Sequence, residues 1–393
     1  MLPPVFLSLR TSAEIDQVLH EIGVHAQSLS IMRGKGQSFA IRFSELDPRA
    51  ANVLKQEMLA RGGEAAISWK ALNLNEETTD VLLFGTLTQL RLLVEKLTRQ
   101  PFGLKELATM LERSLRCQTH APSPASFGRW SFPWGKRTYL MGILNLTPDS
   151  FSGDGIVGRV DAALARADEL IREGADLLDV GGESSRPGHT AVSAQEEWNR
   201  LKDFLAEFLP HAPIPVSLDT NKAEVAQKGL EAGVHLINDI WGLKKERAIA
   251  KLVQEAGAGL VLQHNRAQSD YKDLLSETLA DLTVSIQTAL DEGMDEKKLI
   301  IDPGIGFGKK TDQNFTILKH LAAFRSLGYP LMVGPSRKSF LGQVTGQPPT
   351  ERVFGTAAAV CLAVTNGADL VRVHDVKAMK DVIQVCDRTI RAV

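Results

Sequence analysis

From Tyr139 onward, short apolar runs alternate with stretches whose apolar positions recur every three to four residues. The runs Tyr139–Leu144, Asp176–Val180, Ile214–Leu218, His235–Asn238, Gly259–Leu262, Lys298–Ile301, Pro330–Val333 and Asp369–Val373 read as strands. They are continuous and not alternating, as expected of parallel strands buried on both faces. The intervening periods predict helices over Asp161–Glu173, Glu196–Leu209, Lys222–Glu231, Glu246–Ala256, Leu274–Glu292, Gln313–Phe324, Glu351–Val364 and Val376–Val393. Eight strand-then-helix units in residues 136–393 predict a (β/α)8 TIM barrel, a fold of ~250 residues. An open doubly wound sheet would call for fewer units and a Gly-x-Gly-x-x-Gly loop after its first strand, which this sequence lacks.

The pattern is different before that point. Residues 118–135, rich in Pro, Ser and Gly, predict a linker whose aromatics (Phe127, Trp130, Phe132, Trp134) pack on a neighbour. Residues 1–117 predict a small α/β domain. Its strands are expected over Val5–Leu9, Phe39–Phe43 and Val81–Phe84, and its helices over Ser12–Ile22, Arg49–Ala60, Leu87–Arg99 and Leu104–Leu115. Gly34-Lys-Gly36 is too short for a phosphate loop and reads as a turn.

Composition narrows the function. The 393 residues carry 45 Lys and Arg against 47 Asp and Glu, a formal charge of −2, which gives no basis for general nucleic-acid binding. Hydrophobic residues make up 44% and charged residues 23%, ordinary values for a globular protein. No apolar run approaches the ~18 residues of a spanning helix, and the N-terminus has no basic leader region, so a cytoplasmic protein is expected. Three cysteines (Cys117, Cys361, Cys386) form no CxxC and suggest no zinc site; free thiols in a reducing compartment are expected.

The chemistry gathers where a barrel would place it. At the ends of the predicted strands or directly after them stand Asn145, Asp179, Asp219, Asn238 with Asp239, His264, Asp302, Ser336 with Arg337 and Lys338, and Arg372 with His374. Barrel active sites lie at that C-terminal face. Carboxylates converging there need N–H donors as partners, and a 2-amino-4-oxo-pyrimidine ring, as in pterins and guanine, supplies adjacent ones. Asp302, followed by Pro-Gly-Ile-Gly-Phe-Gly, is the leading candidate. The basic loops after strands seven and eight suit a phosphate. Asn145 could give an oxygen to Mg²⁺, which keeps several waters and binds beside substrate phosphates. The Gly- and Ser-rich loops at 147–155 and 181–188 have the composition of lids over reacting groups.

Met141-Gly-Ile-Leu-Asn-Leu-Thr-Pro-Asp-Ser-Phe-Ser152 resembles the first signature of dihydropteroate synthases, and Asp179-Val-Gly-Gly-Glu-Ser-Ser-Arg-Pro-Gly188 resembles their second. Ser217–Thr220, Ile237–Asp239, Asp302–Lys309, Ser336–Ser339 and Arg372–Asp375 complete the set in order. The resemblance implies a folate-biosynthetic transferase that condenses 6-hydroxymethyl-7,8-dihydropterin diphosphate with 4-aminobenzoate. It places Asp219, Asn238, Asp302, Phe307, Lys338 and Arg372 around the pterin. It places Ser185, Arg186, Pro187, Ser339, Arg372 and His374 around diphosphate and 4-aminobenzoate. It implies Mg²⁺ on Asn145, reaction-centre roles for Asp179, Asp219, Lys338, Arg372 and His374, and a homodimer. The first residues resemble the N-terminal extension of a longer bacterial form, which implies no activity for them. Three departures stand out: Ser185 where Thr is usual, Gln263 where Met is common, and Gly153-Asp154-Gly155 in place of the usual Asp-Gly order. A methyltransferase moving a methyl group from a reduced folate to a corrinoid would share the pterin carboxylates but not the diphosphate loops. A non-catalytic pterin-binding paralogue would not need Asn145, Arg372 and His374.

Overall fold

The computed structural model describes residues 3–9, 11–147, 156–183 and 191–391. They form two compact units, one up to His120 and one from Ala121.

In the first unit, β1 (Ser38–Leu46), β2 (Glu64–Ile67) and β3 (Thr79–Thr86) form an antiparallel sheet with β3 in the middle. Phe39, Ile41 and Phe43, two apart on β1, share one face and pack with Leu54, Leu83, Leu90 and Leu111. Helices Pro48–Leu59, Leu87–Leu97 and Leu104–Thr119 supply that core. Thr86 starts the second of these with a reciprocal capping box to Gln89. The run Val5–Leu9, expected as a strand, pairs with nothing among the described residues and leaves Phe6 95% exposed. Apolar character alone does not make a strand without a partner edge.

The second unit is the expected barrel. Among the described residues eight parallel strands, β6 (Tyr139–Asn145), β7 (Leu177–Gly181), β8 (Val216–Asp219), β9 (Leu236–Asp239), β10 (Gly259–Gln263), β11 (Leu299–Asp302), β12 (Met332–Val333) and β13 (Leu370–Val373), run in sheet order β11-β10-β9-β8-β7-β6-β13-β12. A bridge between Ile301 and Leu331 joins the two ends into a ring. Outward residues such as Leu178, Leu218, Leu260 and Val371 pack under the helices.

The expected linker at 118–135 is a correction. Its start lies within the helix Leu104–Thr119, and beyond it β4 (Ala125–Phe127) and β5 (Trp130–Phe132) pair as an antiparallel hairpin. Phe127, Phe132 and Trp134 are buried among Leu177, Leu236, Val261, Ile300, Met332 and Leu370, the first inward layer of the strands. The hairpin therefore plugs the N-terminal mouth. It folds because its aromatics alternate onto one face, a period the Pro and Ser residues obscure. Arg129 and Trp130 tie it down by donating to Ala212 O at 3.2 Å and Pro213 O at 3.1 Å.

That plug fixes the character of the opposite mouth. Inward positions recur every second residue. Two residues beyond Leu177, Leu236, Val261, Ile300 and Leu370 stand Asp179, Asn238, Gln263, Asp302 and Arg372. One end of the barrel interior is apolar, and the other is ionic.

Candidate active site

Arg372 is the hub of the C-terminal mouth. Its Nε donates to Asp179 Oδ2 at 2.5 Å and its Nη2 to Asp219 Oδ2 at 2.6 Å. Asn238 Nδ2 donates to the same Asp179 oxygen at 3.1 Å. The four residues come from strands β7, β8, β9 and β13, so the barrel itself brings them together. Asp179 is wholly buried, and its Oδ2 orients Arg372 through the bond to Nε. Asp179 Oδ1, Asn238 Oδ1 and Ser217 Oγ are buried without a protein partner. Burial pushes Asp219 up to about 7, against the pull of Arg372.

Asp302 ends β11 nearby. Its Oδ1 accepts from Gly304 N–H at 2.7 Å, and burial raises it to about 6 despite that bond. Lys338 lies over the Phe307 ring, Nζ 3.8 Å from the centroid. Its surroundings of protein, with Arg372 adding repulsion, lower it to about 7. Gln263 pairs in register with Asp302 and is buried, its Nε2 donating to Ile240 O at 3.4 Å. The departure at 263 thus puts an amide beside the acceptor carboxylate.

After β12 and β13 the loops interlock. Ser336 Oγ accepts from His374 N–H at 3.1 Å and lies 3.0 Å from His374 Nδ1. The hydroxyl proton is then free to reach Nδ1, which leaves the imidazole proton on Nε2. Burial, with Arg337 and Arg372 close by, lowers His374 to about 3, so the ring is neutral. Arg337 pairs its guanidinium with Asp375 (Nε to Oδ2 3.0 Å). It sits at φ +57 in the left-handed region, a strained conformation for a non-glycine residue. Thr356 Oγ1 accepts its N–H at 3.1 Å, and Arg352 Nη1 grips its carbonyl at 2.9 Å. Ser339 is exposed at the start of the helix Ser339–Thr345.

Asn145 closes β6 half-buried beside Gly181 and Asp219: an added Cβ at Gly181 would lie 3.7 Å from Asn145 Oδ1 and 3.5 Å from Asp219 Cβ. Ser185, Arg186, Pro187 and the Gly153-Asp154-Gly155 segment lie outside the described residues. The ends of the 184–190 segment are described. Glu183 Oε1 accepts from Val192 N–H at 3.3 Å, and Lys222 Nζ pairs with Glu183 and, at 2.5 Å, with the buried Glu197. Arg200 Nη1 donates to Gly182 O at 2.9 Å. Lys222, Glu197 and Arg352 were not candidates in the sequence, where each reads as an ordinary helix charge.

Acceptors for a donor-rich ring, a cation–aromatic pair and a neutral imidazole donor therefore share one mouth. Residues 141–374 match a family described as pterin binding enzyme. A dihydropteroate synthase of Bacillus subtilis is 44% identical over 252 residues, 64% of this chain and 88% of that protein. The solved structure of Xanthomonas albilineans dihydropteroate synthase with 4-aminobenzoic acid superposes with a TM-score of 0.66 at 39% identity, covering 70% of this chain and 100% of that one. A probable bifunctional folylpolyglutamate synthase/dihydropteroate synthase of Halobacterium salinarum is 38% identical over 369 residues, 91% of this chain and 44% of that protein, so this match reaches well into the first 120 residues.

Proposed function

We propose how the residues divide one reaction, on the premise that this chain belongs to the pterin-binding enzymes and, among them, to the dihydropteroate synthases. The reaction is the condensation of 6-hydroxymethyl-7,8-dihydropterin diphosphate with 4-aminobenzoate, giving 7,8-dihydropteroate and diphosphate. The observation that carries the residue roles is the Arg372–Asp179–Asp219–Asn238 cluster with Asp302 beside it at one mouth.

Asp302, as an acceptor, takes the pterin N–H edge, with Asn238 and Asp219 completing the in-plane contacts. Lys338 and Phe307 bound the ring. The reaction breaks the C–O bond between the pterin methylene and diphosphate and forms a C–N bond to the arylamine, which then sheds a proton. Positive charge developing on the pterin is stabilised by the carboxylates around it, which are already oriented by Arg372. The leaving diphosphate takes a hydrogen bond from His374 Nε2–H, with Arg372, Ser185 and Arg186 beside it. Ser185, Arg186, Pro187 and Ser339 receive the arylamine. No covalent enzyme intermediate is required.

Asn145 fits Mg²⁺ as a single neutral oxygen ligand, since this ion keeps waters and shares substrate phosphates. Bound there, Mg²⁺ would neutralise diphosphate charge. A homodimer is proposed through the helix Val353–Thr365, which carries no charged residue and exposes Phe354 (85%) and Leu362 (51%). No helix among the described residues is long and apolar enough to cross a membrane, and a cytoplasmic location is proposed.

The test is complementation of a strain lacking this synthase. The full chain should restore growth without added folate end products, and Arg372→Ala should not. Failure of soluble full-length protein to rescue would overturn the reading, and normal rescue by Arg372→Ala would overturn the site.

A further inference from the structure

One ion network lies behind the mouth, and none of the roles above uses it. Lys309 Nζ donates to His264 Nδ1 at 2.9 Å, Gly304 O at 3.1 Å and Phe307 O at 3.2 Å, so all three of its N–H groups are matched. Burial lowers Lys309 to about 7, against the pull of Asp302; with Nζ donating to all three partners, His264 Nδ1 accepts and its Nε2–H donates to Asp281 Oδ2 at 3.0 Å. His264 is 1% exposed and lowered to about 3 by burial and by Lys309, which keeps it neutral. Asp281 also receives Lys244 Nζ and Arg266 Nε, each at 2.8 Å, which ties it to the neighbouring loop.

Two of these bonds end on the peptide frame of the site. Gly304 receives Lys309 on its carbonyl and gives its own N–H to Asp302 Oδ1 at 2.7 Å. Phe307 receives Lys309 on its carbonyl and carries the ring under Lys338. The loop can come this close only because residue 304 is glycine: it has φ +71, and a Cβ there would lie 1.8 Å from His264 O. Tyr271 adds a brace, its hydroxyl donating to Gly308 O at 2.9 Å.

We propose that Lys309, held by His264 and Asp281, is the positioning residue of the pterin pocket: one ammonium sets both the acceptor carboxylate Asp302 and the aromatic floor Phe307. The inference rests on the pterin assignment above and deepens it. It touches neither the arylamine nor the diphosphate contacts, which come from other loops. Losing Lys309 therefore weakens the pterin substrate selectively.

The experiment compares Lys309→Met, His264→Leu and His264→Asn with the unaltered full chain. It measures KM for the pterin diphosphate and for 4-aminobenzoate, each with the other saturating, together with direct binding of the pterin diphosphate and thermal midpoints. Lys309→Met and His264→Leu should raise the pterin KM and Kd by about tenfold or more, the scale of a lost charge-assisted bond. The 4-aminobenzoate KM should stay within about twofold. His264→Asn keeps an acceptor oxygen near Nδ1 and should retain most of the affinity. An unchanged pterin KM, or equal rises in both KM values, would overturn the proposal. Should Lys309→Met fail to fold, the His264 pair decides: equal pterin affinity in the Leu and Asn variants would overturn it. If the unaltered chain itself does not bind pterin diphosphate, it is the functional reading that fails.

Discussion

Asp302→Asn should make the protein more stable while disabling it. Asp302 is 2% exposed, and burial raises it from 3.8 to about 6. A carboxyl whose folded value lies above its unfolded one holds its proton better when folded, so stability falls as pH rises from about 4 to about 6 and then levels off. The shift is about two units at ~1.4 kcal/mol each, a ceiling of about 3 kcal/mol lost by pH 8. Asparagine removes the charge and keeps an oxygen for Gly304 N–H. Its new N–H₂ group, if unmatched, costs about 1 kcal/mol. Urea unfolding at pH 8 should thus show a gain of about 1–3 kcal/mol that vanishes near pH 4. Pterin diphosphate binding should weaken by about tenfold or more, because an amide donor now faces the ring's N–H edge. A variant less stable than the parent at pH 8, or a gain independent of pH, would refute the electrostatic reasoning. Undiminished pterin binding would refute the role of Asp302.

Three other perturbations probe different parts of the account. Arg372→Met strips the partner from Asp179 and Asp219; unfolding at pH 8 should show a loss of about 3–5 kcal/mol, and activity should be undetectable in a product assay. Lys222→Met leaves Glu197 charged and buried, a group already raised by burial. The loss should again be about 3–5 kcal/mol at pH 8 and should shrink as the pH falls and protonation of Glu197 relieves it. Phe127→Ala empties the plug of the N-terminal mouth, and chemical denaturation should show about 3–5 kcal/mol lost, with KM values for both substrates unchanged.

What the sequence disclosed follows the range of each interaction. Strand ends Asp179, Asp219, Asn238, Asp302 and Arg372 were legible because a short apolar run fixes both the strand and which residue leaves it at the C-terminal face. Their pairing was not legible, since Arg372 meets Asp179 across 193 positions. Lys309 and Lys222 look like solvated charges on their own segments, and only the fold brings His264 or Glu197 to them. β2, Glu64–Ile67, was missed because Glu-Ala-Ala-Ile shows neither alternation nor a strong apolar run. The helix Ala26–Gly36 was missed because Ser, Arg, Gly and Lys interrupt its apolar face, and Gly34-Lys-Gly36, expected as a turn, forms its last residues. The hairpin at 125–132 hid inside a composition that normally marks linkers. The opposite error occurred at Val5–Leu9, where an apolar run has no partner strand among the described residues.

The central claim is that the cluster around Arg372 and Asp302 serves to join a pterin to an arylamine. The most direct measurement uses purified full-length protein with 6-hydroxymethyl-7,8-dihydropterin diphosphate, 4-aminobenzoate and Mg²⁺, and quantifies both products by mass. The account predicts 7,8-dihydropteroate and diphosphate in equal amounts, and neither product from Arg372→Met. A folded protein that binds the pterin diphosphate yet forms no dihydropteroate would contradict it.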